Sequence, residues 1–202
     1  FKEVRGWNLN DMLVLFGIAA AGFGLGVFLF GNMLSLSDII AKGQLDYYLS
    51  LPRPVLLHVV SSRSISSGMG DFIYGIFSFV AARQFSLDAI ARFIIAVILA
   101  MLVFLSFMIL VHSLTFYIGN AAMLSQQFFN AIITFALYPV NLFEGPAKVV
   151  LFLVIPAAFM GSVPAEFVTA ASWSALLQLL AATTFLLTLA IGVNLSLAIY
   201  DG

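Results

Sequence analysis

Long uncharged apolar stretches separated by short polar interruptions organise this chain. No charged residue falls between Asp11 and Asp38, and about 20 apolar residues suffice for a helix to cross roughly 30 Å of hydrocarbon. A first spanning helix is therefore predicted over residues 12–30. It contains Gly22 and Gly26, a spacing that lets another helix approach closely. Residues 55–82 are long enough for a second span, placed at 60–82, yet they hold His58, Arg63, Asp71 and a cluster of small residues at 61–70. The charged part is expected at the interface or against protein, because a lipid-facing charge at mid-bilayer costs roughly 3 kcal/mol or more. Arg83, Asp88 and Arg92 mark the next aqueous loop, after which residues 93–143 carry no Lys, Arg, Asp or Glu. One helix of that length would reach about 76 Å, more than twice the bilayer, so the stretch must fold back. Gly119 and Asn120 supply the hinge, giving spans over 93–115 and 122–138. Residues 149–165 are uncharged but short, with Pro156 inside and Pro164 near the end; the segment 143–171 reads as re-entrant or interfacial half-helices. Glu144 and Lys148, four apart, have the spacing of a helical ion pair. The last span is predicted over 173–198, with Trp173 and Tyr200 at interface heights.

Composition narrows the class. With 63% apolar and 8% charged residues and a mean hydropathy of +1.14, too little polar surface exists to cover a soluble domain. The chain is expected to be a single all-α membrane domain over 1–202. A net charge of −1 excludes nucleic acid, which demands a basic face. There is no cysteine, hence no disulfide framework and no thiolate metal site. The chain opens at Phe1 with Lys2, Glu3, Arg5 and Asp11, and a longer N-terminus is expected. Five spans put the two ends on opposite sides. Lys42, Arg53 and Arg63 then share one side, and Lys2, Arg5, Arg83, Arg92 and Lys148 the other, so loop charge does not fix orientation.

The most informative interruption is SLSDIIAKGQLDYYLSLPRP at residues 35–54. Ser35 and Asp38 match the Ser-x-x-Asp capping pattern, after which Leu36, Ile39 and Ile40 line one face of a short helix. Gly43 offers a stop or a turn. Residues 44–51 form a second amphipathic turn or two, ended by Pro52, Arg53 and Pro54 because neither proline donates a backbone hydrogen bond. A short amphipathic helix between two spans lays its apolar face either on lipid or in a partner's groove.

Gly43, Leu45, Asp46, Leu49 and Pro52, followed by Ser62-Arg63 and Gly70-Asp71, resemble the six-span permeases of the ABC-2 type exporter superfamily, in which a loop reading roughly G-x-L-D-x-x-L-x-x-P leads to S-R and G-D. The blocks YPVNLF at 138–143 and IPAAF at 155–159 are similar to that family's pattern between its last two spans, and the order of blocks covers nearly the whole chain. The resemblance implies a polytopic helical bundle of six spans, five of them in this chain, with a cytoplasmic coupling helix and an external re-entrant pair. It implies that residues 35–54 seat on a separate ATPase, with Asp38, Gly43, Leu45, Asp46, Tyr47, Leu49, Pro52 and Arg53 as the partner-binding positions. It further implies an ATPase dimer, a second permease copy or related permease, and a multi-pass location in a bacterial cytoplasmic membrane. ATP and magnesium would be held by the partner, with no cofactor on this chain.

Among the remaining polar residues, Asp71 has three readings: a structural pair with Arg63 eight residues earlier, ion or proton handling, or contact with cargo. His112 reads as a hydrogen-bonded residue near a span end. Gln126, Gln127, Asn130, Gln178 and Asn194 serve as glue between helices or line a path. The 21 phenylalanines face lipid or suit an amphipathic or aromatic cargo. No G-x-x-x-x-G-K-[ST] loop, no H-E-x-x-H and no Ser with an intramembrane base is present, so phosphate-loop hydrolysis, zinc proteolysis and acyl transfer lack their reactive groups. No catalytic or metal residue is therefore assigned. The expectation is an exporter subunit moving an amphipathic or drug-like substrate on ATP hydrolysed elsewhere. An ion-coupled carrier or channel using Asp71, or a scaffold without transport, are the alternatives.

Overall fold

The computed structural model describes residues 5–200, with side chains of the last helix described to residue 194. Lys2, Glu3 and the Tyr200 side chain, which entered the charge count and the interface reading, lie outside these. Every regular element among the described residues is helical. Helix α1 (Leu9–Phe30) starts at a capping box in which the Asp11 amide donates to Asn8 Oδ1 at 3.0 Å and the Asn8 amide donates to Asp11 Oδ2 at 3.1 Å. It continues through a 3-10 turn (Gly31–Ser35) into α2 (Leu36–Ala41), a helical run of 33 residues. At 1.5 Å per residue that is about 50 Å, roughly 20 Å more than the hydrocarbon core. The surplus carries α2 beyond the apolar layer.

Short helices α3 (Leu45–Leu49) and α4 (Val55–Ser61) follow, then α5 (Ser67–Ala81). The helix predicted over 60–82 is thus broken at residues 62–66. Serine hydroxyls compete with the backbone there: Ser61 Oγ donates to Leu57 O at 2.6 Å and Ser62 Oγ to Val59 O at 2.8 Å. Helix α6 (Leu87–Ser113), capped by Ser86 Oγ accepting from the Ala89 amide at 3.1 Å, runs into α7 (Thr115–Ile118). The chain then turns at Gly119, where φ is +81°, and re-enters as α8 (Ala122–Ala136). Helices α9 (Pro146–Leu153) and α10 (Ser162–Thr169) flank a short turn (Ala157–Phe159) after Pro156, with a bend of 65°. Helix α11 (Trp173–Tyr200) closes the chain.

Three of these runs, Leu9–Ala41, Leu87–Ile118 and Trp173–Asn194, are long and apolar enough to cross a membrane, and the bent pair makes a fourth if taken as one span. Helices α5 and α8 have 15 residues each, about 22 Å at the helical rise. This is an all-α polytopic membrane protein.

Helix α1 is the central column. It lies against α5 most extensively and against α6 next. The α1–α5 seam is glycine on glycine: a Cβ on Gly75 would stand 2.5 Å from the Gly17 carbonyl, and one on Gly68 would stand 2.5 Å from the Gly24 carbonyl. Small residues seven apart on both antiparallel helices bring the backbones together, the main attraction available where lipid removes the hydrophobic drive. Ser78 Oγ, donating to Leu13 O at 2.8 Å, ties the same seam. Gly22 and Gly26 face α6 instead, against Ala100, Met101 and Phe104. Much of the phenylalanine content packs on itself: Phe23 meets Phe104 edge-on at 5.3 Å and Phe79 stacks on Phe93 at 4.0 Å.

Two pairings read from spacing are corrected. Glu144 pairs with Arg5 Nη1 at 2.6 Å rather than with Lys148, because Gly145 at φ +55° leaves Glu144 outside α9. Ser35 makes no side-chain cap, because α2 continues from a helical turn and has no free N-terminus to receive one.

Candidate functional site

Residues 35–62 build a platform at one end of the bundle. The end of α2 is set by Gly43, at φ +65°. The Gln44 amide donates to Ile39 O at 2.9 Å and the Gly43 amide to Ile40 O at 3.1 Å, the paired bonds that terminate a helix through a left-handed residue. That turn reverses the chain into α3. Pro52 and Pro54 bracket Arg53 and start α4, so three short helices follow one another within about 25 residues, α3 packed on α4 and α2 on α6, α7 and α8.

The platform has two faces. Leu36, Ser37 and Ile39 are buried, and Leu45 and Tyr48 pack on the core from the half-buried layer. Tyr48 is the anchor of α3: its ring meets His58 edge-on at 5.4 Å and its Oη lies 3.2 Å from Ser62 Oγ. Beneath it the buried Asn32 amide group donates to Val59 O at 2.8 Å and to Ser62 Oγ at 2.7 Å, while the Asn32 backbone amide donates to Arg63 O at 3.0 Å. One polar side chain thus pins α4 and the 62–66 break to the end of α1. On the outer face Asp38, Gly43, Asp46, Tyr47, Pro52 and Arg53 are exposed, Tyr47 at 67%. An aromatic ring so exposed, next in the chain to the exposed Asp46 carboxylate, is suited to a protein groove.

Of the eight positions singled out from the sequence, six are exposed, whereas Leu45 and Leu49 are half-buried. The structure places Tyr48, Asn32, Ser37 and His112 in supporting roles that the sequence reading did not assign to this site. His112, from the far end of α6, holds α2 from below: its Nδ1 is 2.6 Å from Ser37 Oγ, and Ser37 Oγ is 3.2 Å from Ser125 Oγ of α8. These residues border a cavity of about 170 Å³ with Asp38 at its rim.

Arg63 and Asp71 do not come together. The break at 62–66 unwinds the helix that an eight-residue spacing assumes, and Arg63 is left exposed in the connection. The ion pairs among the described residues are Arg5–Glu144 and Arg92–Asp88. Asp71, half-buried on α5, borders a mostly apolar cavity of about 190 Å³ together with Ala19, Phe23, Tyr74, Ile133 and Met160.

The opposite end of the bundle is built by α9, α10 and the loops before α6 and α11. Arg5 donates to Asn141 O at 3.0 Å, and Arg92 Nη1 donates to Phe167 O at 3.4 Å. Ser162 Oγ accepts from the Val140 amide at 2.8 Å. The bent pair and the polar platform thus occupy opposite ends of the same helices.

The family model described as ABC-2 family transporter protein matches residues 1–201. No curated protein and no solved structure matches the chain.

Proposed function

The chain belongs to the ABC-2 family of transporter proteins, as a multi-pass membrane subunit of an ATP-binding-cassette transporter, and from that membership we propose that the α2–α4 platform is its coupling element. A separate ATP-binding subunit would receive the exposed face formed by Asp38, Asp46, Tyr47, Pro52 and Arg53. ATP and magnesium would be bound and used in that partner, whose dimer would act on two permease chains, identical or related. Transport would be outward across a bacterial cytoplasmic membrane, with an amphipathic cargo. In this reading α5 and α8 cross the bilayer with the three long helices, for five spans, and the bent α9–α10 segment is re-entrant on the external side.

The observation that carries the proposal is mechanical. Helix α2 continues α1 through an unbroken helical run, and α1 is locked to α5 along backbone-to-backbone contacts. Closure of the ATPases against the platform would therefore tilt α1 and α5 as one body. Such rigid-body rocking between two packed states is how a small displacement at one end opens or closes a path. Packed cores transmit it because they do not deform continuously. Family membership favours this reading over an ion-coupled carrier built on Asp71.

The test uses side chains that face outward. Asp46→Lys and Tyr47→Asp should each remove the ATPase from the purified complex while leaving the unfolding temperature of the permease unchanged, since both positions are exposed. Retention of the ATPase by both variants would overturn the assignment of the platform. Leu45→Asp is the wrong probe, because Leu45 packs inward and a charge there would unseat α3.

A further inference from the structure

We infer that His112 is a positioning residue that joins the coupling helix α2 to α6, an inference that rests on the coupling role proposed above. The geometry fixes which ring atom does this. The Ser37 backbone amide donates to His112 Nδ1 at 3.3 Å, and an amide can only donate, so Nδ1 is an acceptor and the ring is neutral with its proton on Nε2. Ser37 stands in the first turn of α2, at its junction with the preceding 3-10 turn. A side chain 75 positions away thus holds the start of α2.

Burial makes the joint directional. Ser37 is 1% and His112 5% exposed, so a side chain at 112 that cannot accept a hydrogen bond costs the joint its partner in a largely buried place. Of the charged side chains on α6 and the elements packed against it, Asp38 of α2 lines the same cavity. Arg92 and Asp88 of α6, Asp11 of α1 and Glu166 of α10 belong to the opposite end; α7, α8 and the described part of α11 carry no charged residue. The link extends onward. Ser113, next to His112, accepts at its Oγ from Asn194 Nδ2 of α11 at 3.2 Å. Through one imidazole, a push on α2 reaches α6 and then α11, in addition to α1 and α5.

Asparagine places its amide oxygen where Nδ1 sits, whereas glutamine places an acceptor about one bond further out, so the two variants separate position from polarity. The full transporter, permease with its co-purified ATPase in lipid nanodiscs, would be assayed for ATP hydrolysis relative to the detached ATPase. His112→Leu should lower that stimulation about tenfold, the size of a typical coupling between sites; His112→Asn should restore most of it and His112→Gln should not, with unfolding temperatures of the Asn and Gln variants alike. Nitrogen NMR of histidine-labelled permease should show Nδ1 unprotonated and Nε2 protonated. A proton on Nδ1, equal rescue by glutamine, or full stimulation in His112→Leu would overturn the inference. If no ATPase co-purifies, the proposed function fails, and the NMR readout still decides whether the joint exists.

Discussion

Gly24→Ala tests the rigidity on which transmission from α2 depends. A Cβ on Gly24 would fall on the Phe72 amide nitrogen, 2.5 Å from the Gly68 carbonyl and 2.9 Å from Asp71 Cβ. Two of these three neighbours are backbone, so no rotamer change relieves them and α5 must move away from α1. Ordinary carbon-to-oxygen contact needs more than 3 Å, so the helices would separate by close to 1 Å along the seam. Overpacking of this kind costs about 1–3 kcal/mol, against a gain of up to about 1 kcal/mol from replacing glycine in a helix. The propensity gain is shared by any glycine-to-alanine change in a helix, so relative to such a control the expected loss is about 1–3 kcal/mol. Gly70→Ala in the same α5 helix is the control, because nothing lies within 4 Å of its Cβ position; it should be neutral or slightly stabilising. Denaturation of both variants in a mild detergent, followed by fluorescence, reads the difference. Equal stability of Gly24→Ala and Gly70→Ala would refute the packing argument. Gly75→Ala should behave like Gly24→Ala, since its Cβ would meet the Gly17 carbonyl at 2.5 Å and the Ala21 amide at 2.6 Å.

Other consequences are simpler. Asn32→Ala removes two side-chain hydrogen bonds that hold α4 and the 62–66 break, and should cost about 1–2 kcal/mol, at the modest end because Ser62 Oγ and Val59 O still satisfy each other; increased protease cleavage between residues 50 and 66 would accompany it. Arg5→Ala and Glu144→Ala break an ion pair whose side chains are 51% and 78% exposed, and a double-mutant cycle should give a coupling below about 1 kcal/mol. Gly43→Val forces a branched residue into φ +65°, at a cost of about 1–2 kcal/mol; ATPase association should weaken while the unfolding of the long helices is unchanged.

The apolar runs read as spans over 12–30, 93–115 and 173–198 fall inside the helical runs Leu9–Ala41, Leu87–Ile118 and Trp173–Tyr200, because a spanning helix needs a length of uncharged chain that nothing else in the sequence imitates. The turn at Gly119 and the bend after Pro156 were equally legible, each carried by a residue with a specific backbone constraint. The break at 62–66 was not. Its cause is serine hydroxyls taking backbone carbonyls together with Asn32 from another helix, and the latter contact has no local signature. The same holds for Arg63 and Glu144, where sequence spacing assumed one continuous helix and the backbone did otherwise; at Ser35 the spacing assumed a helix start, and the helical run continues through it instead. A signal for the α1–α5 seam was present and unread: Gly17 and Gly24 match Gly68 and Gly75 at seven-residue spacing, a better pointer than the closer Gly22 and Gly26, which serve α6. At the platform, the outward residues Asp46, Tyr47 and Arg53 were identified, but alternation over a five-residue helix was too short to show that Leu45 and Tyr48 turn inward. His112 was legible as a hydrogen-bonded residue near a helix end. Its partner Ser37 was not, since two residues 75 apart meet only through the packing of α2 on α6.

The most direct test of the account is gentle purification of the full-length protein from its native membrane, with every co-purifying chain identified by mass. The account predicts a subunit bearing a phosphate-binding loop in about equal amount, lost when Asp46 is changed to Lys. Its absence, under conditions that keep a control transporter intact, would contradict the coupling role of the platform.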